Sequence, residues 1–175
     1  MDYDIKQYRK DFCKWAAFRA AQARGLNVKR EEFISALKAS GLIEFLDDPS
    51  NAGCDKQRFD KSHRDWVSSI RDHIRFQYKK GISYGIAAKL VAIFIKGYFI
   101  LAGKEETPLA KVAHPPIDSY LLKGIDEQYK TNLSNKYKWS KLDEEKYLEL
   151  LSELRKINGD QPFWKLERYW KLPDI

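Results

Sequence analysis

The stretch IAAKLVAIFIKGYFILA, residues 86–102, is the most apolar part of the chain and decides the fold. Only two of its 17 residues are charged, Lys89 and Lys96. A helix that is apolar on nearly all sides is typical of a protein's centre, with other helices packed around it. Two charges in so short a run favour a buried helix over a membrane span. We therefore expect a central buried helix at about residues 86–101.

The sequence on both sides of this stretch repeats apolar residues every three or four positions, which is typical of amphipathic helices. Further helices are predicted at residues 4–24, 30–40, 60–80, 118–123, 140–157 and 160–170. The apolar face of the first carries Ile5, Tyr8, Phe12 and Trp15. No alternating run requires a strand, and 175 residues suit one domain. We predict an all-α protein, a single compact domain (1–175) of about seven helices.

Several classes of site have no support in the sequence. Cys13 and Cys54 are far apart, and three histidines without ligand spacing do not indicate zinc or iron. The phosphate-binding Gly-x-x-x-x-Gly-Lys loop is absent from the sequence. We expect no metal and no cofactor. Residues 2–6 are rich in charge and lack the apolar core of a secretory signal, so we expect a cytoplasmic protein.

The positive charge of the chain is concentrated in one segment. The net charge is +7, and residues 61–100 contain eight Lys and Arg against two Asp. On the predicted helix 60–80, steps of three and four residues form a stripe, here called the basic ridge: Arg64, Ser68, Arg71, Arg75 and Lys79. Such a stripe is suited to a phosphate backbone. An ordinary solvated helix face, with arginine stems covering apolar surface, is the alternative.

The ridge leads into a short glycine hairpin. Lys79 and Lys80 precede Gly81, and Gly85 follows four residues later, where the central helix begins. Backbone N–H groups at a hairpin and at a helix N-terminus favour an anion. The alternative is a simple helix–helix turn in which Gly81 is the C-cap of the first helix. Both interpretations are compatible with each other.

The helix, hairpin and helix of residues 66–96, together with PIDSYLLK at 116–123, resemble the core of the helix-hairpin-helix DNA glycosylases. In that family the hairpin holds a DNA phosphate, and an aspartate that opens a later helix stabilises the sugar cation or activates the nucleophile. Bifunctional members also carry a Schiff-base lysine after the hairpin. The resemblance implies that Gly81 and Gly85 contact phosphate, that Asp118 is the essential acid, and that Lys89 is nearest to the nucleophile position.

Two functions remain open on these residues. One is a base-excision enzyme that acts on an extruded base with Asp118 and Lys89. The other is a non-catalytic nucleic-acid-binding or protein-interaction module, in which Asp118 only caps a helix and Lys89 extends to the surface. The expected partner is nucleic acid, with duplex DNA favoured, and no membrane. The sequence leaves the oligomeric state open.

Overall fold

The computed structural model describes residues 4–21, 28–78 and 81–171, and within them it contains helices and loops but no strand. The α-helices in these ranges are α1 (Ile5–Ala21), α2 (Arg30–Ala39), α3 (Leu42–Asp47), α4 (Lys56–Tyr78), α5 (Tyr84–Tyr98), α6 (Pro108–Val112), α7 (Ser119–Tyr129), α8 (Leu133–Lys136) and α9 (Glu144–Asn158). Short 3₁₀ helices lie at Pro49–Gly53, Ile100–Ala102, Trp139–Lys141 and Phe163–Tyr169. The all-α prediction is confirmed. The α-helices that the sequence did not predict, α3, α6 and α8, are too short to show a helical repeat.

Helix α5 is the central helix, as expected. Eleven of its 15 residues are buried, and α1, α4 and α9 all pack against it. Ser83 caps its start, with Oγ accepting the N–H of Ile86 at 3.1 Å. By length and composition Tyr84–Ala102 could cross a membrane, but 67% of its apolar window is buried inside the fold. Burial of this kind is what the central helix of a packed protein requires.

The side of α1 that faces the core differs from the prediction. Four large side chains of the predicted apolar face are exposed: Ile5, Tyr8, Phe12 and Trp15. Helix α1 buries Cys13, Ala17 and Phe18 instead; it packs on α5, while Phe18 contacts Phe33 of α2. A Cβ atom on Gly97 of α5 would lie 2.7 Å from Cys13 Sγ. Helices α1 and α5 approach so closely at this point that only small side chains fit between them. Apolar periodicity does not reveal such a close approach, so it predicted the wrong face of α1.

Helix α4 begins four residues before its predicted start. Asp55 Oδ1 accepts the N–H of Arg58 at 2.8 Å and so caps the first turn. Asp60, the first residue of the predicted range, lies inside α4. The apolar side chains of α4 are buried and form its core face: Trp66, Val67, Ile70 and Ile74. The basic ridge therefore lies beside the core face of α4, with Arg64 and Arg75 exposed and Ser68 and Arg71 half-buried.

Candidate functional site

The fold brings together the two residues to which the resemblance assigns catalysis. Lys89 Nζ lies 3.1 Å from Asp118 Oδ2, although the residues are 29 positions apart in the chain. Their side chains are only 11% and 10% exposed. The Lys89 ammonium also lies 4.5 Å from the centroid of the Trp139 ring, a favourable cation–π distance. Lys89 therefore does not extend to the surface; it forms a largely enclosed ion pair.

Asp118 is the N-cap of α7, and both of its oxygens are occupied. Oδ1 accepts the N–H groups of Tyr120 and Leu121, each at 3.0 Å. Oδ2 accepts the Trp170 indole N–H at 3.1 Å in addition to the Lys89 ammonium. The capping role is thus present in the structure. A substrate would have to displace Lys89 or Trp170 to reach Oδ2.

The basic ridge separates into paired and unpaired arginines. Arg64 Nε lies 2.7 Å from Glu144 Oε1, so an acidic residue of α9 neutralises it. Arg71 Nε donates to the backbone oxygen of Ile82 at 3.2 Å, which holds its guanidinium against the hairpin. Arg75 is exposed. Neither Arg71 nor Arg75 forms an ion pair with any residue that the structure describes, and Lys79 lies outside those residues.

The two hairpin glycines have different surroundings. Gly85 is buried, and its N–H donates to the Leu142 carbonyl at 3.2 Å. A Cβ atom at Gly85 would lie 1.9 Å from the Trp139 carbonyl oxygen, so the packing of the 139–142 segment on α5 accounts for this glycine. Gly81 is exposed and open on the side where a Cβ would project. Of the two, Gly81 is the one that a ligand can approach.

Lys80, like Lys79, lies outside the described residues, so the structure does not place the lysines of the predicted anion site. At the start of α5 the backbone donors already have partners within the protein. The hydroxyl of Ser83 accepts a hydrogen bond from the N–H of Ile86, and its carbonyl accepts one from the N–H of Ala87. The helix N-terminus therefore offers little to an anion, and the accessible part of the hairpin is near Gly81 and Arg71.

The charge count of residues 61–100 overstated the surface charge. Three of its eight cations pair with carboxylates from after residue 100: Arg64 with Glu144, Lys89 with Asp118, and Lys96 with Glu167. A count along a segment cannot detect counter-ions that come from elsewhere in the chain. The unpaired cations among the described part of this segment are Lys61, Arg71 and Arg75.

The pair Lys96–Glu167 was missed by the sequence analysis. Lys96 lies on α5 two turns beyond Lys89, and Glu167 belongs to the 3₁₀ helix Phe163–Tyr169. Burial raises the pKa of Glu167 above its ordinary value, and the ammonium of Lys96 only partly offsets this. The spacing of Lys89 and Lys96 was visible in the sequence. Their acidic partners were not, because they depend on how the C-terminal segment folds back.

A buried polar cluster joins α4, α9 and the loop before α7. The rings of His63 and His114 lie 4.3 Å apart. His114 Nε2 is 3.0 Å from Asp60 Oδ1, and its Nδ1 is 3.3 Å from the hydroxyl of Tyr147. Burial lowers the pKa of both histidines, which favours their neutral forms. Arg155 also binds Asp60, at 2.7 Å. In the sequence these residues are too scattered to suggest a cluster.

No group of three or more His, Cys, Asp or Glu side chains that could hold a metal ion occurs within residues 4–21, 28–78 and 81–171. Cys13 and Cys54 are buried free thiols. Comparisons of the chain with protein-family models, with curated proteins and with solved structures found no match. The resemblance to the helix-hairpin-helix glycosylases therefore stays a prediction.

Proposed function

We propose that this protein binds nucleic acid, in the favoured case duplex DNA, through the C-terminal end of α4 and the neighbouring Gly81. The supporting observation is the pair Arg71 and Arg75, the first half-buried and the second exposed, neither of which has a carboxylate partner in the described part of the chain. They are one helical turn apart, about 6 Å along the axis. Each guanidinium retains donors for a separate phosphate oxygen.

Two further features support contact with a backbone at this end of α4. The hydrogen bond from Arg71 to Ile82 fixes a cation beside Gly81, where the chain surface is open. Phe76 follows Arg75 directly and is 84% exposed. An exposed aromatic ring beside guanidinium groups is suited to stacking on a base extruded from the duplex. Phe76 could not be singled out from the sequence, because it lies off the apolar stripe of α4.

The binding proposal is tested by fluorescence anisotropy with a labelled duplex at low salt. We expect the wild type to bind, and Arg71→Ala with Arg75→Ala to weaken binding by about tenfold or more. Arg64→Ala is the matched control, because it removes an arginine of the same helix that Glu144 already neutralises. Its effect should stay below about twofold. Failure of the wild type to bind, or an equal loss in the control, contradicts the proposal.

Base release is the second candidate function, and the contact between Lys89 and Asp118 favours it. The proposed step begins when Lys89 leaves Asp118 and gives a proton to water. Its amine then forms a bond to C1′ of the sugar while the bond from C1′ to the base breaks, and the base departs with that electron pair and takes a proton from water. The nitrogen then loses its remaining protons to water as the bond from C1′ to the ring oxygen breaks, and the ring oxygen is protonated, which opens the sugar and leaves an imine. Asp118, once released, would stabilise the positive charge that develops on the sugar.

Borohydride trapping separates the two candidates. Wild-type protein is incubated with duplexes that carry damaged bases or an abasic site, and borohydride reduces any imine to a stable protein–DNA adduct. The enzyme proposal predicts an adduct that Lys89→Gln abolishes. It also predicts that Asp118→Asn stops base release but leaves duplex affinity largely intact. If no substrate yields an adduct or free base, while the duplex still binds, the protein is a binding module.

A further inference from the structure

A cavity of about 440 Å³ opens beside the end of α5, and neither the Lys89–Asp118 pair nor the basic ridge lines it. Apolar side chains form most of its wall, and three charged side chains complete it: Ile100, Leu101, Trp164, Lys96, Glu105 and Glu167. The volume falls within the range of about 300–1,000 Å³ that is typical of small-molecule sites. Leu101 is 72% exposed, so an apolar surface faces solvent at this cavity.

The charges at this cavity differ in sign from those of the whole protein. The protein has a net charge of +7, but the cavity is lined by two carboxylates and one ammonium. Lys96 and Glu167 form an ion pair and neutralise each other. Glu105 is exposed, and no ion pair involves it within the described residues. A formal charge of −1 therefore remains at an apolar cavity, which favours a ligand with one positive charge.

We propose that this cavity binds a small organic ammonium ion. Its aromatic or branched aliphatic body packs against Ile100, Leu101 and Trp164, and its ammonium group is attracted to the carboxylate of Glu105. The indole ring adds a cation–π contribution. Lys165 Nζ lies 5.7 Å from the Trp164 centroid but does not line the cavity. This site is independent of the proposed nucleic-acid interface.

Isothermal titration calorimetry with three probes of similar size and shape tests the charge preference. The probes are 2-phenylethylamine, 2-phenylethanol and 3-phenylpropanoate, which are cationic, neutral and anionic at neutral pH. We expect measurable binding of the amine, binding of the alcohol that is about tenfold weaker, and no binding of the carboxylate. Tighter binding of the carboxylate or the alcohol, or the absence of amine binding at millimolar concentration, overturns the proposal.

Variants at exposed positions locate the site without disturbing the core. Leu101→Arg places a cation and a bulky side chain at the cavity and should abolish amine binding. Leu148→Arg is the matched control, because Leu148 is an exposed leucine of α9 that does not line the cavity; it should leave the affinity unchanged. Glu105→Gln should weaken the amine about threefold to tenfold. Equal affinity in wild type and Leu101→Arg would place the amine elsewhere and contradict the assignment.

Discussion

The cations of α4 and those of α5 belong to the same basic segment, but they differ in whether a carboxylate lies beside them. Arg71 and Arg75 of α4 have no carboxylate partner in the described residues, whereas Lys89 and Lys96 of α5 each have one. For Lys89 the difference follows from burial, since its side chain is only 11% exposed and an unpaired buried charge is costly. Lys96 is 38% exposed and Arg71 is half-buried, so at these two positions the difference lies in which carboxylates the fold brings near. The C-terminal segment brings Glu167 to Lys96, whereas no described carboxylate pairs with Arg71.

The largest expected effect concerns the buried pair. Asp118→Ala removes the cap of α7 and leaves the Lys89 ammonium without its carboxylate, so we expect the free energy of unfolding to fall by about 3–4 kcal/mol. Asp143→Ala is the matched control, since Asp143 caps α9 through the N–H of Lys146 at 2.9 Å. It should cost about 1 kcal/mol. Urea denaturation measures the loss of unfolding free energy in both variants. Equal losses would contradict the prediction, because they would show that the Lys89–Asp118 ion pair contributes little to stability.

The second ion pair of α5, Lys96–Glu167, should make the stability of the protein depend on pH, because Glu167 is largely buried. Because the pKa of Glu167 is raised in the folded protein, its contribution to stability is present below the unfolded pKa of about 4.3. That contribution is lost as the pH rises through the folded pKa. Glu167→Gln mimics the protonated form, so it should gain stability relative to wild type between about pH 4 and pH 7, by about 1.4 kcal/mol per unit of pKa shift.

Glu153 supplies a control of opposite sign. Hydrogen bonds from Lys136 and Tyr137 lower the pKa of Glu153, so its contribution is present above the unfolded pKa and is lost as the pH falls. Glu153→Gln should therefore lose stability relative to wild type as the pH rises to about 4.3, and the difference should stay level above that pH. Thermal unfolding of wild type and both variants between about pH 2 and pH 7 gives the change in relative stability with pH for each. If the stability of both variants relative to wild type changed in the same direction with pH, the largely buried environment assigned to Glu167 would be contradicted.

The smallest effect is expected at Arg64. Its side chain is 54% exposed and pairs with Glu144, which is also partly exposed. Such surface pairs contribute little, so Arg64→Ala should change the free energy of unfolding by less than about 0.5 kcal/mol. A loss above about 1 kcal/mol in urea denaturation would mean that the pair holds α4 to α9 more strongly than a surface contact does.

The sequence predicted the longer α-helices and the central position of α5, because apolar periodicity and a long apolar run can be recognised from local sequence alone. It also brought Lys89 and Asp118 to attention through the family resemblance. The carboxylate partners of Arg64 and Lys96 could not be predicted, since they come from distant segments. The exposed face of α1 was missed because the small side chain of Cys13 and the absence of one at Gly97 matter only where two helices meet.

The salt dependence of duplex binding tests most directly whether the unpaired arginines of α4 form the interface. The logarithm of the binding constant is measured against the logarithm of salt concentration for wild type, for Arg71→Ala with Arg75→Ala, and for Lys96→Gln. Each lost phosphate contact reduces the slope by about 0.9. The account predicts a reduction of about 2 in the double arginine variant and no change in Lys96→Gln. An unchanged slope in the arginine variant, or an equal reduction in both, would contradict it.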